Sequence, residues 1–186
     1  MAIKQDYFDT AFELLSEQGY SALKQASLCK RLRVTTGSFY HYFGNWHDFT
    51  SQLLEHWRTA RTTELVTLAQ QHQDPVDQLD ALLQFALELP HRAEAAIRVW
   101  SKVDPEVRVI QDAVDSQRKG VVVHAARAIL KDEQDALNHA RWGLYLLAGY
   151  QELDAGEDPA ALEWVLRRLL DELKEKSREQ RHVAPI

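Results

Sequence analysis

Between Gln18 and His47 the chain has no acidic residue, while Lys24, Lys30, Arg31 and Arg33 are all basic. Within that stretch Thr35-Thr36-Gly37-Ser38 leads directly into Phe39-Tyr40-His41-Tyr42. Hydroxyls, phenols and an imidazole can donate to phosphate oxygens or pair with base edges, and lysine and arginine neutralise phosphates. Gly37 lacks a side chain and permits close approach of its helix to bases or backbone, while threonine methyls can touch a thymine methyl. Such a set suits polyanion recognition, not bond cleavage. The apolar residues Leu28, Leu32, Val34, Phe39 and Phe43 are spaced for two short helices packed across each other. This predicts helices over 25–32 and 36–43, with Thr35 as N-cap of the second. Thr36, Gly37, Ser38, His41 and Tyr42 then face away from Phe39 and Phe43, toward a major groove.

Catalytic constellations are poorly represented. Of the eight histidines, His91 stands in a Glu-x-x-His pattern with Glu88, but Pro90 interrupts it where a metal-binding helix would have to continue. Asp135 and His139 lie one helical turn apart, too little for a site. No His-Glu-x-x-His, cysteine pair, phosphate-cradling glycine loop or nucleophile elbow occurs, so neither an enzyme nor a resident cofactor or metal is expected. The single Cys29 excludes a disulfide framework and fits a reducing, cytoplasmic compartment. No apolar run reaches the ~18 residues of a membrane span. The formal net charge of −6 would disfavour nucleic acid, but it is unevenly placed. Residues 1–61 hold seven Lys/Arg and six Asp/Glu, a net of +1, against fifteen and twenty-two in residues 62–186, a net of −7. Local charge dominates at a Debye length of ~8–10 Å.

The elements that must position this stretch are all helical. Tyr7, Phe8, Ala11, Phe12, Leu14 and Leu15 recur at three- and four-residue spacing over 3–18, and Gly19 suits the end of that helix. Asn45 can cap a helix over 46–71, with Asp48 near its N-terminus. Further helices are expected over 75–87, 92–102, 105–130, 133–153 and 159–176, and the tail 177–186 is expected to be disordered. The fold class is therefore all-α, with about nine helices: a helix-turn-helix domain over 1–46 followed by a helical domain over 47–176.

The run Ala11…Gly19-Tyr20…Leu28-Cys29…Val34-Thr35-Thr36-Gly37-Ser38-Phe39-Tyr40-His41-Tyr42-Phe43 resembles the DNA-binding domain of the TetR (tetracycline-repressor-like) regulators over residues 3–55. The segment Ala96-Ile97-Arg98-Val99-Trp100 with Asp104-Pro105, Asp115 and Arg118 is similar, more loosely, to part of the regulatory domain of some members. Three departures stand out. The family usually has Gly where Arg33 stands, often Lys where Trp46 stands, and Ser or Thr where Lys24 stands. If the turn needs positive φ, Arg33 bears a strain of about 1–2 kcal/mol. Lys24, Arg33, Thr35 and Trp46 join Thr36, Gly37, Ser38, Tyr40, His41 and Tyr42 as the expected DNA contacts; the resemblance implies a phosphate contact for Tyr40.

The resemblance further implies a homodimer that reads a palindromic operator, most simply as a repressor, and responds to a small-molecule effector of unspecified identity. Trp57, Phe85, Trp100, Trp142 and Tyr145, with His91, Arg98 and Gln111 as polar groups, are candidates to line an effector pocket; core packing is the alternative for each. The helix over 133–153 is apolar all round between Trp142 and Tyr150, so it requires cover on both sides. With the stripe on the last helix it predicts a four-helix dimer interface through Leu137, Leu144, Leu147, Leu162, Val165, Leu166, Leu169 and Leu170; a monomer with that helix at its centre is the alternative. A dimeric interaction module of the same fold without specific DNA binding is the rival function.

Overall fold

The computed structural model describes residues 3–153 and 157–183; the side chains of Thr62 and of residues 180–183 lie outside that description. The described chain is helical throughout: α1 (Lys4–Gln18), a 3₁₀ turn (Tyr20–Ala22), α2 (Gln25–Leu32), α3 (Thr36–Tyr42), α4 (Trp46–Gln71), α5 (Pro75–Leu87), α6 (His91–Ser101), α7 (Pro105–Leu130), α8 (Glu133–Leu153) and α9 (Pro159–Val183). Local chemistry sets these bounds. The Asp6 carboxylate accepts from the Ile3 amide at 2.7 Å ahead of α1, and Gly19 at φ 74° ends that helix. Asn45 accepts from the Asp48 amide at 2.8 Å, while Asp48 accepts from the Gly44 amide at 2.8 Å. These bonds satisfy orphan donors at the start of α4. Asp74 caps α5 through the Val76 amide at 2.7 Å.

Two compact units divide the chain, one of residues 1–60 and 90–112 and the other of 61–89 and 113–186. This differs from a division at residue 46. The reason lies in α6, whose Ala93 and Ile97 are buried and whose helix packs along α1. In the first unit Tyr7, Phe8, Phe39, Phe43 and Phe49 form an aromatic cluster with ring centroids 4.9–6.1 Å apart. The ring of Tyr20 stacks on Trp100 of α6 at 5.7 Å and 13°, so the 3₁₀ turn, not foreseen from the sequence, is where α6 is gripped. In the second unit α5, α7, α8 and α9 share an apolar core that includes Leu83, Ala126, Ala136, Leu162 and Leu173. Lys174 of α9 reaches Asp80 of α5 at 2.7 Å.

One further difference from the sequence reading has a local cause. Residues 177–183, expected to be disordered, continue α9, because a good helix-forming sequence extends an existing helix without a new nucleation cost; the remainder of that tail, 184–186, lies outside the described residues. Lys131 adopts φ 55° where α7 ends, with Asp132 capping α8 through the Asp135 amide at 2.7 Å. The helix α8 is also not covered all round within one chain: Ala136, Ala140 and Leu147 are buried, but Trp142 is 45% and Tyr145 68% exposed.

No helix of the described residues is long and apolar enough to cross a membrane. The Tyr7 hydroxyl is buried without a hydrogen-bond partner among the described residues, and burial raises the pKa of that phenol. A buried donor left unsatisfied costs about 1–3 kcal/mol. Tyr7→Phe should therefore leave the thermal midpoint unchanged or raise it by a few degrees, measured by circular dichroism; a fall of more than about 1 kcal/mol would show that the hydroxyl is satisfied in solution.

Candidate nucleic-acid interface

The helix pair α2–α3 is held from below and open above. Leu28 and Phe39 are fully buried and Phe43 nearly so, and they fix α3 against α1 and α4. Thr35 caps α3 as expected: its hydroxyl accepts from the Ser38 amide at 3.2 Å, and the two side-chain oxygens lie 3.1 Å apart. On the opposite face Thr35, Thr36, Gly37, Tyr40 and His41 are exposed and Ser38 and Tyr42 are half-buried. The Tyr42 ring leans on Tyr7, 5.7 Å between centroids, which fixes the ring on the cluster. The phenol of Tyr40 is 53% exposed, whereas its ring edge rests on Phe39. That packing orients the hydroxyl outward.

The turn between α2 and α3 has the left-handed backbone expected of it. Arg33 sits at φ 56° and ψ 40°, and its amide bonds to the carbonyl of Lys30 at 3.2 Å while that of Val34 bonds to Cys29 at 3.0 Å. This is the helix termination usually assigned to glycine, made here with a long cationic side chain. Lys24 stands at the N-cap of α2 with no side-chain cap, so its ammonium is not used within the helix end. Arg31 behaves differently from its neighbours: its guanidinium lies 2.5 Å from Glu17 and 3.8 Å from Glu13. The same bond holds the Glu17 carboxyl below the usual carboxylate range. Lys24, Lys30 and Arg33 are thus the exposed cations of the turn region.

Trp46, where a lysine was the family expectation, is half-buried and packs its ring on Phe49 and Phe39 at 5.0 and 6.1 Å. Its main contacts are with the core. Sequence reasoning overlooked Lys4, whose ammonium lies 5.8 Å from the Phe43 ring and 5.9 Å from the Phe8 ring. A cation two residues before the apolar repeat of α1 was the only available signal. Cys29 is buried, and burial pushes its thiol above the ordinary range.

The residues expected to line an effector pocket divide between the two units. Trp57, His91 and Gln111 are buried in the first unit with Arg98 half-buried among them in the chain order of α6, and Trp100 stacks on Tyr20. Phe85 alone of the eight lines the apolar cavity of the second unit, about 110 Å³ in volume; Trp142 and Tyr145 face outward instead. The residues proposed for a dimer interface also separate. Leu147, Leu162, Leu166, Leu169 and Leu170 are buried within one chain, and Leu137, Leu144 and Val165 are half-buried. Periodicity identified the apolar stripe but could not tell which neighbour would cover it.

A capped, glycine-opened helix carried by a second helix through a left-handed turn defines a helix-turn-helix protein. Residues 8–48 match the family described as bacterial regulatory proteins of the tetR family. Over 55 residues the chain is 42% identical to the transcriptional regulator AcuR of Cereibacter sphaeroides, a segment covering 30% of this chain and a quarter of that relative's length. The whole fold resembles a TetR transcriptional regulator from Legionella pneumophila, with a TM-score of 0.76 at 14% identity over 92% of this chain and 97% of that one. A TetR regulator from Haloarcula marismortui gives 0.74 at 15% identity over 91% and 96%. The segment 8–48 is thus similar to the DNA-binding part of tetR-family regulators, and the chain spans about a quarter of the length of the curated relative it matches.

Relief of the left-handed strain at Arg33 is worth about 1–2 kcal/mol, offset by roughly 0.5–1 kcal/mol for the greater freedom of glycine in the unfolded chain. Arg33→Gly should accordingly raise the thermal midpoint by about 1–4 °C. An unchanged or lowered midpoint would mean that the arginine side chain contributes packing which compensates its backbone.

Proposed function

We propose that the protein is a cytoplasmic, ligand-responsive transcriptional regulator, a repressor, that binds a palindromic operator as a homodimer through α3. One observation carries this reading: Thr36, Gly37, Tyr40 and His41 are exposed together on a helix whose opposite side is locked into the aromatic cluster. Rigid presentation of hydroxyls and a bare backbone position is what groove reading requires. Thr36 and Ser38 are the base-edge readers, Tyr40 and His41 with Tyr42 bind phosphate or base, and Lys24 and Arg33 bind phosphate. Thr35 orders the helix start, and Trp46 supports α3 from behind.

The second copy is proposed to seat on α8 and α9. Support comes from Trp142, Tyr145 and Trp164, large apolar residues left 45%, 68% and 62% exposed. Leu137, Leu144 and Val165 are partly exposed beside them in the sequence of these helices. A two-fold dimer would set its recognition helices about 34–36 Å apart, in successive major grooves. Effector binding in the second unit would favour one spacing of those helices over another and so change operator affinity.

The chain's own upstream DNA provides the test in a mobility-shift titration. Tyr40→Phe combined with Ser38→Ala should weaken specific binding by at least about tenfold, from two lost hydrogen bonds of roughly 1 kcal/mol each. With three exposed cations per protomer at the turn, the log–log salt slope of the dimer should lie near −5, shallow for a DNA binder. A slope steeper than about −8 would require cations elsewhere on the interface. A stable dimer with no specific binding at low salt would instead identify an interaction module of the same fold.

A further inference from the structure

We propose that the apolar cavity of the second unit takes a small carboxylate, a short apolar chain of about four carbons bearing one anionic head. The inference rests on the regulator reading and specifies the effector's chemical class. The cavity, about 110 Å³, is walled mainly by leucines with Phe85 and alanines. A dry cavity of about 150 Å³ holds the six heavy atoms of benzene, so this smaller volume fits a body of roughly four. Its two charged lining groups, Arg118 and Lys119, are both cations, His139 also contributes to the wall, and no aspartate or glutamate is among the lining residues.

The three groups differ in what they can offer. His139 has Nδ1 2.8 Å from the Asp135 carbonyl and Nε2 3.3 Å from a Glu172 carboxylate oxygen. Both ring nitrogens face acceptors, so the ring is held in place and Glu172 balances any charge on it. Arg118 is buried, 7% exposed. Lys119 is half-buried and forms no ion pair among the described residues. It is therefore the group positioned to take a carboxylate head as a point-charge partner, while the leucines take the apolar body. A neutral molecule of the same shape would leave that ammonium without compensation. Phe85 also lines a more polar pocket with Arg61 and Glu64.

Calorimetric titration of the full chain with butyrate and valerate, against 1-butanol and 1-pentanol, tests the assignment. The anions should bind at least about tenfold tighter than the matched alcohols, the margin of one charge-assisted hydrogen bond. Lys119→Gln should abolish that margin without changing alcohol affinity, and Lys119→Arg should largely keep it. Gly143→Leu should remove binding of both classes by filling the cavity, since a Cβ there meets only the end of the Leu169 side chain at 3.4 Å; thermal melts confirm that each variant is folded. Equal or tighter binding of the alcohols, an anion affinity insensitive to Lys119→Gln, or no binding of any probe would overturn the proposal. Mobility shifts on the same preparations, without any probe, keep the regulator reading separate: intact operator binding beside failed anion binding rejects the ligand class alone.

Discussion

The contact on which the first unit depends is the aromatic cluster of Tyr7, Phe39, Phe43 and Phe49. Phe39 touches rings from α1 and α4 as well as the Tyr40 and Trp46 rings beside it. A helix of seven residues has too few internal hydrogen bonds to persist alone. Helix α3 exists because its buried side is clamped from two directions, and the clamp also decides which side remains outside. Orientation of Thr36, Gly37, Tyr40 and His41 is thus a consequence of where Phe39 and Phe43 are buried.

The same clamp accounts for the unusual residues around α3. Arg33 keeps a left-handed turn without glycine because Leu28 and Phe39, buried on either side, over-determine the crossing of α2 and α3. Trp46 replaces an expected lysine at the cost of a cation but adds an indole to the cluster. Arg31 is drawn back to Glu17 on α1. The turn therefore keeps Lys24, Lys30 and Arg33 as exposed cations, and α3 itself presents mainly neutral donors.

The second unit follows a different rule. Its core is aliphatic and its helices are long, so packing along α8 and α9 consumes the leucine stripe within a single chain. Large aromatic residues of those helices remain outside, and a small cavity lined by leucines remains inside. An apolar helix face of this kind has two possible partners, its own chain or another copy, and both use the same period.

That ambiguity separates what the sequence by itself determined from what only the tertiary structure decided. Local rules were enough for α2, α4, α7 and α8, whose predicted bounds agree with those observed, because caps, prolines and the 3.6-residue period act within a few residues. They were also enough for the Thr35 cap, whereas positive φ at Arg33 is suggested only conditionally, by the family resemblance that puts glycine at that position. Local rules could not assign α6 to the unit containing α1, since the Tyr20–Trp100 stack joins residues eighty positions apart. Nor could they divide the leucines of α9 from the tryptophans beside them, or show that Phe85 lines a cavity while Trp142 faces solvent. Apolarity and period state that a side chain will be covered; only the assembled fold selects what covers it.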